Sequence, residues 1–120
     1  MNSYKDLDVW KMSRELVAEI YSFSKTLPQE ERFGLISQMR RAAISIPANI
    51  AEGHGRNYSK DTIQFLHISR GSLYEIETLL YVACDVKYAV ESDLSPLFEK
   101  VNSVVKMLNG LIKYFENKLK

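Results

Sequence analysis

Four cations, Arg40, Arg41, Arg56 and Lys60, fall within one short stretch, with Asn57 and Tyr58 between the last two. Arginine grips phosphate oxygens through two parallel N–H donors, so this group predicts backbone contacts to nucleic acid. A competing use stays open, in which Arg40 and Arg41 are engaged in salt bridges between subunits and only Arg56 and Lys60 remain available. Other chemistry is poorly supplied. His54 and His67 have neither HExxH nor paired-ligand spacing, so no metal is expected. The segment GHGR, Gly53 to Arg56, lacks the Walker lysine and follows no strand, which argues against a nucleotide phosphate loop. Ser45, His54 and Glu52 supply the residue types of a nucleophilic triad, but no strained nucleophile turn orients them. Glu52, Glu75 and Glu77 are expected to pair with Arg41 and Arg70 as charged hydrogen bonds inside an interface, in preference to acid–base catalysis. The expectation is a chain with no catalytic residues, no metal and no cofactor, which is not an enzyme.

The element that must carry most of these groups runs from Phe33 to Tyr58. With Leu35 as zero and about 100° per residue, Leu35, Met39, Ala42, Ala43, Ile46 and Ile50 share one side. Ile36, Pro47, Ile44 and Ala51 widen the arc to roughly 200°, where one bundle contact needs about 100°. Arg40 falls inside that arc, where an unpaired charge is costly. The remaining stripe holds Gln38, Arg41, Ser45, Asn49, Glu52 and Arg56 and is poor in long flexible charges. An ordinary core helix with a polar back is one reading. The preferred one is a helix covered on two sides, by its own bundle and by another subunit, with Gln38, Ser45, Asn49, Glu52 and Glu75 making interface hydrogen bonds. Pro47 should kink this helix, since it lacks an N–H and crowds the carbonyl of Ala43; a fresh helix starting at Pro47 is the alternative. Gly53 and Gly55 are expected to end it.

The other elements follow by periodicity. Helix one is expected over Asp6 to Leu27, with Val9, Ser13, Leu16, Ile20, Phe23 and Leu27 as its stripe, a cap at Ser3 or Asp6, and Pro28 as its stop. PQEERFG is a link of about one turn. Helix three begins at Ser59, with Tyr58 and Ile63 placed as a hydrophobic staple. Its apolar face includes Leu66, Ile68, Leu73, Ile76, Leu80 and Val86. Ser69, Gly71 and Ser72 thin its middle for close helix approach. Tyr74, Tyr81 and Tyr88, seven residues apart, form an amphipathic seam that reads as a shielded bundle edge or a subunit contact, with stacking on nucleobases a lesser alternative. Helix four is capped by Ser92 or Ser95, with Pro96 in its first turn, and runs on Phe98, Val101, Val105, Leu108, Ile112 and Phe115. No alternating strand pattern is present. Four helices with short links predict an all-α, antiparallel up-down-up-down four-helix bundle as one domain over residues 1–120.

Composition agrees with that class. At 120 residues, 46% hydrophobic and 26% charged, the chain can bury a core and is not disordered. Net charge is +1, which neither requires nor excludes nucleic acid. The charge is uneven, however: Arg32 to Lys60 is basic, Asp61 to Phe98 acidic, and the segment from Glu99 basic. Cys84 is the single cysteine, so no internal disulfide or cysteine metal cage is possible. MNSYKDLDVW shows no signal pattern and no apolar run approaches about 18 residues, so a cytoplasmic protein off the membrane is expected.

Beyond these readings the residues carry a likeness. Asp6-Leu7, Val9-Trp10, Phe33-Gly34-Leu35, Gln38 to Ala43, Ser45-Ile46-Pro47, Asn49 to Gly53, Arg56, Phe65-Leu66, Gly71-Ser72-Leu73 and Glu75 resemble the four-helix-bundle proteins encoded by intervening sequences in bacterial large-subunit ribosomal RNA genes. Relatives of that family accompany the reverse transcriptase of diversity-generating retroelements. Ile36 and His54 depart from the usual pattern. The resemblance implies a left-handed bundle, a homopentameric ring, and binding of RNA or an RNA-associated partner. A ring would repeat each cation once per subunit. The leading expectation is a ring-forming protein that binds structured RNA. The alternatives are a scaffold that docks a polymerase or ribosomal factor, and a small-ligand binder using the polar stripe.

Overall fold

The computed structural model describes residues 3–120. Its four helices are α1 (Asp8–Ser24), α2 (Leu35–His54), α3 (Ser59–Asp85) and α4 (Ser95–Lys118), with short 3-10 turns at Tyr4–Asp6, Gln29–Glu31 and Glu91–Leu94. No strand is present among the described residues. Helices α1 and α3 each pack against both α2 and α4, which closes a four-membered bundle measuring 47 × 24 × 20 Å. Contacts fix the relative directions of neighbours. Thr62, Ser69 and Ser72 of α3 bond Gly53, Ile46 and Ser45 of α2 in turn, so the numbering falls in one helix as it rises in the other. The Arg70–Asn109 and Tyr81–Phe98 contacts do the same for α3 and α4.

The core is made by the stripes that the periodicity marks. Leu16 and Ile20 of α1, Met39, Ile46 and Ile50 of α2, Leu66, Leu73, Ile76 and Leu80 of α3, and Val101, Val104 and Leu108 of α4 are fully buried. Each such side chain contributes about 1.5–3 kcal/mol by leaving water. No helix among the described residues is long and apolar enough to cross a membrane.

Several boundaries differ from expectation for local reasons. Helix α1 starts at Asp8, not Asp6, because Leu7 adopts an extended backbone that sends its side chain into the core. Ser3 therefore caps the preceding 3-10 turn, through Lys5 N. The helix also stops at Ser24, and Leu27 stays buried from the turn that follows. Helix α2 runs unbroken through Pro47. Gly53 does not end it. It lies inside the last turn, where a Cβ would come within 2.8 Å of Phe65 Cβ and 3.2 Å of the Thr62 carbonyl. Its bare backbone lets α3 draw near, and Gly55 takes the cap. Gly71 faces open space, with nothing within 4 Å of where a Cβ would sit, so the close approach in mid-α3 belongs to Ser69 and Ser72 instead. Tyr58 is 72% exposed, which leaves little of its ring for the expected staple with Ile63. Neither Ser92 nor Ser95 caps α4 by side chain; the 3-10 turn runs directly into it, with Pro96 in the first turn as the sequence predicts.

Candidate assembly face and nucleic-acid contacts

The sequence arc on α2 divides in three. Met39, Ala42, Ala43, Ile46 and Ile50 are buried in the core, and Leu35, Ile36, Pro47 and Ala51 are half-buried. Ile44 points outward and remains 48% exposed. It shares the outer side of α2 with Arg41 and Ala48, at i−3 and i+4, both exposed. Across from them α3 presents Ile68, 50% exposed, in phase with Ser72 and Glu75. Phe33, just before α2, is 85% exposed, with the Arg32 guanidinium 4.7 Å from its ring centre.

Between these two outer sides lies a groove of about 560 Å³, lined among others by Phe33, Gln38, Arg41, Ser45 and Glu75. The fold therefore gathers four of the predicted polar residues into one place. Their engagement differs. Ser45 accepts from Asn49 Nδ2 at 2.9 Å and from Ser72 Oγ at 3.0 Å, and Asn49 also donates to the Ser45 carbonyl. Ser45 and Asn49 are thus committed inside the chain. Gln38, Arg41 and Glu75 are exposed and make no side-chain hydrogen bond or ion pair among the described residues. Within the chain Glu52 pairs with neither Arg41 nor Arg70. Glu52 lies one turn before Arg56 and bridges to it at 2.8 Å, while Arg70 donates to Asn109 Oδ1. The Glu52–Arg56 pair is largely exposed, so it adds little stability.

The four predicted phosphate contacts do not form one patch. Arg40 is half-buried on the α1 side, where its Nε donates to Ser24 Oγ at 2.8 Å and its guanidinium stacks 4.6 Å from the Tyr21 ring. That pairing satisfies the group that the sequence leaves unpaired within an apolar arc. Arg41 sits in the groove, about 20 Å of helix rise from the end of α2. Arg56 and Lys60 are together at the exit from α2, exposed, with Arg56 also 4.6 Å from the Phe65 ring centre. Of the tyrosine seam, Tyr81 lies 4.5 Å from Phe98 and Tyr88 donates to Glu31 Oε2, while Tyr74 stands exposed. The bond to Glu31 raises the Tyr88 hydroxyl pKa. Burial, with Glu91 and Asp85 nearby, raises that of the Cys84 thiol, which disfavours the reactive thiolate.

A second concavity was not foreseen from the sequence. Where α1 begins, α2 ends and α4 ends, a cavity of about 690 Å³ opens over Leu7, Leu111 and Phe115. Its rim carries His54, Arg56, Tyr114 and Lys118. In sequence Phe115 belongs to the apolar stripe of the last helix, and nothing local places it or Lys118 beside Arg56. Among the described residues no cluster of three or more histidine, cysteine or acidic side chains could hold a metal ion.

Comparison with known proteins gives two findings. The family model described as 23S rRNA-intervening sequence protein matches residues 5–110. A crystal structure of a protein of unknown function from the S23 ribosomal protein family of Bacteroides thetaiotaomicron VPI-5482 superposes with a TM-score of 0.80 at 26% identity, over 88% of this chain and 95% of that one. Among curated proteins, none matches.

Proposed function

The chain belongs to the 23S rRNA-intervening sequence protein family, and from that premise we propose that it is a non-catalytic bundle that assembles with copies of itself and binds RNA through phosphate contacts. The outer α2–α3 face carries this reading. Phe33, Ile44 and Ile68 are exposed there beside Arg41, Gln38 and Glu75, which have no partner among the described residues. Single exposed apolar residues are ordinary, but several sharing a face with unengaged opposite charges have the chemistry of a contact surface. A second copy offers matching groups, because a head-to-tail contact repeated around an axis closes a ring. We take the ring to hold five copies, as the resemblance noted in the sequence implies. Gln38, Arg41 and Glu75 supply the bonds between copies and Ser45 forms part of the groove wall, while Glu52, bridged to Arg56, and Asn49, bonded to Ser45, are engaged inside the chain. Arg56 and Lys60 lie off that face, and a ring multiplies them into a basic field facing RNA.

The test is native mass together with RNA titration across salt. The expected result is a particle several chains in mass whose RNA affinity falls steeply as salt rises, as phosphate contacts require. A monomer in dilute solution would overturn assembly. No RNA bound at low salt would overturn the RNA reading and favour a protein-docking scaffold.

A further inference from the structure

Three properties of the cavity at the α4 end go beyond a generic basic surface. Its floor is apolar and partly aromatic: Leu7 is buried, Leu111 and Phe115 are half-buried, and the Tyr114 and Phe115 rings meet edge to face at 5.1 Å. Its charged walls are all of one sign, for no carboxylate among the described residues lines it. Its cations come from opposite walls, Arg56 from the α2 exit and Lys118 from the last turn of α4. The Lys118 ammonium is already held over aromatic faces, 4.8 Å from Tyr114 and 5.5 Å from Phe115. Arg56 gives one terminal nitrogen to Glu52 and keeps further N–H donors. At about 690 Å³ the space falls within the usual range for small-ligand sites.

A flat apolar group seated on an aromatic floor, joined to an anion held between two cations, is the chemistry of a nucleoside phosphate. We propose that this cavity holds one unpaired nucleotide, its base stacked on the Tyr114 ring with Phe115 beside it, and its phosphate between Arg56 and Lys118, whose ammonium leaves the ring face to meet it. The inference rests on the RNA reading and deepens it: RNA would be engaged at a single-stranded end or an unstacked position, since a base inside a helix cannot reach the floor. A free nucleotide shares this chemistry, so the test separates the two sources.

Fluorescence anisotropy at fixed moderate salt would follow a short single-stranded RNA, a blunt duplex of the same sequence, and a labelled nucleoside monophosphate. The wild-type chain is compared with the Tyr114→Ala/Lys118→Gln double variant, both groups being on the exposed rim, with circular dichroism as the folding control. The expected result is a loss of about tenfold or more for single-stranded RNA, as removal of a stacking platform predicts, with duplex binding nearly unchanged. Equal affinities of wild type and variant for single strands would overturn the cavity assignment and leave the RNA reading standing. Binding of the monophosphate without RNA, weakened in the variant, would uphold the nucleotide site and overturn the RNA reading. Binding of neither ligand would overturn both.

Discussion

Gly53 shows how one absent methyl sets an interhelical distance. A Cβ there would sit 2.8 Å from that of Phe65, and the Thr62 hydroxyl already bonds the Gly53 carbonyl at 2.8 Å. Neither neighbour is the free end of a flexible side chain, so Gly53→Ala forces α3 outward at a cost of about 1–3 kcal/mol. Gly110→Ala is the control: nothing lies within 4 Å of the added carbon, and removing backbone freedom from a helix interior should stabilise by about 0.5–1 kcal/mol. Denaturant unfolding of both variants at one protein concentration should move the midpoints in opposite directions. A Gly53→Ala midpoint equal to wild type would show that α3 can step back freely. The sequence registers Gly53 only as a weak helix former, which is why it reads as a stop. Arg40 is similar: its phase told that it needed a partner, but Ser24 and Tyr21, in another helix, could not be named from phase.

At the level of elements, the stripes at three- and four-residue spacing located all four helices and most of their buried faces, because both depend on neighbours within one turn. Ends were less legible. Leu7 and Leu27 belong to the core and also lie outside α1, a distinction that burial alone cannot make in sequence. Between elements, Lys100 of α4 bridges Glu15 and Glu19 of α1 at 3.0 and 2.6 Å. Its hydrogen bonds to Glu19 and then Glu15 raise the ammonium pKa despite partial burial. A value raised in the folded state means that the unfolded chain loses this proton first as pH climbs. The bridge therefore stabilises fully below about pH 10 and fades as pH rises through the folded-state value. Lys100→Met should lower the melting temperature at pH 8 and narrow the gap to wild type toward pH 11. Tyr88, also raised, adds an alkaline loss of the same sign in both proteins. A gap that stays constant from pH 8 to 11 would remove the bridge from the account.

On the scale of the whole molecule, the two ends of the 47 Å axis differ in charge. Asp85, Glu91, Asp93 and Glu99 gather where α3 passes to α4, while the far end mixes Arg56, Lys60 and Lys118 with Asp6, Asp8, Glu52, Asp61 and Glu116. If the outer α2–α3 face joins copies, Ile44→Asp places a charge in that contact without touching the chain's own core. The native mass should fall to that of one chain while helicity by circular dichroism is retained. Arg41→Ala should weaken the same assembly less, since it deletes a rim group. An unchanged mass for Ile44→Asp would take this face out of the contact.

The sequence by itself determined the helix count, the buried stripes, the membership of a family, and the surplus of apolar surface on α2, because each is written in spacings within a few turns. Only the tertiary structure decided which partners Arg40 and Arg70 meet, that Gly53 is a packing site, and that Leu7, Arg56 and Lys118 surround one cavity. Those are matters of distant segments arriving at one end of a bundle, and their separation along the chain carries no trace of the cavity they share.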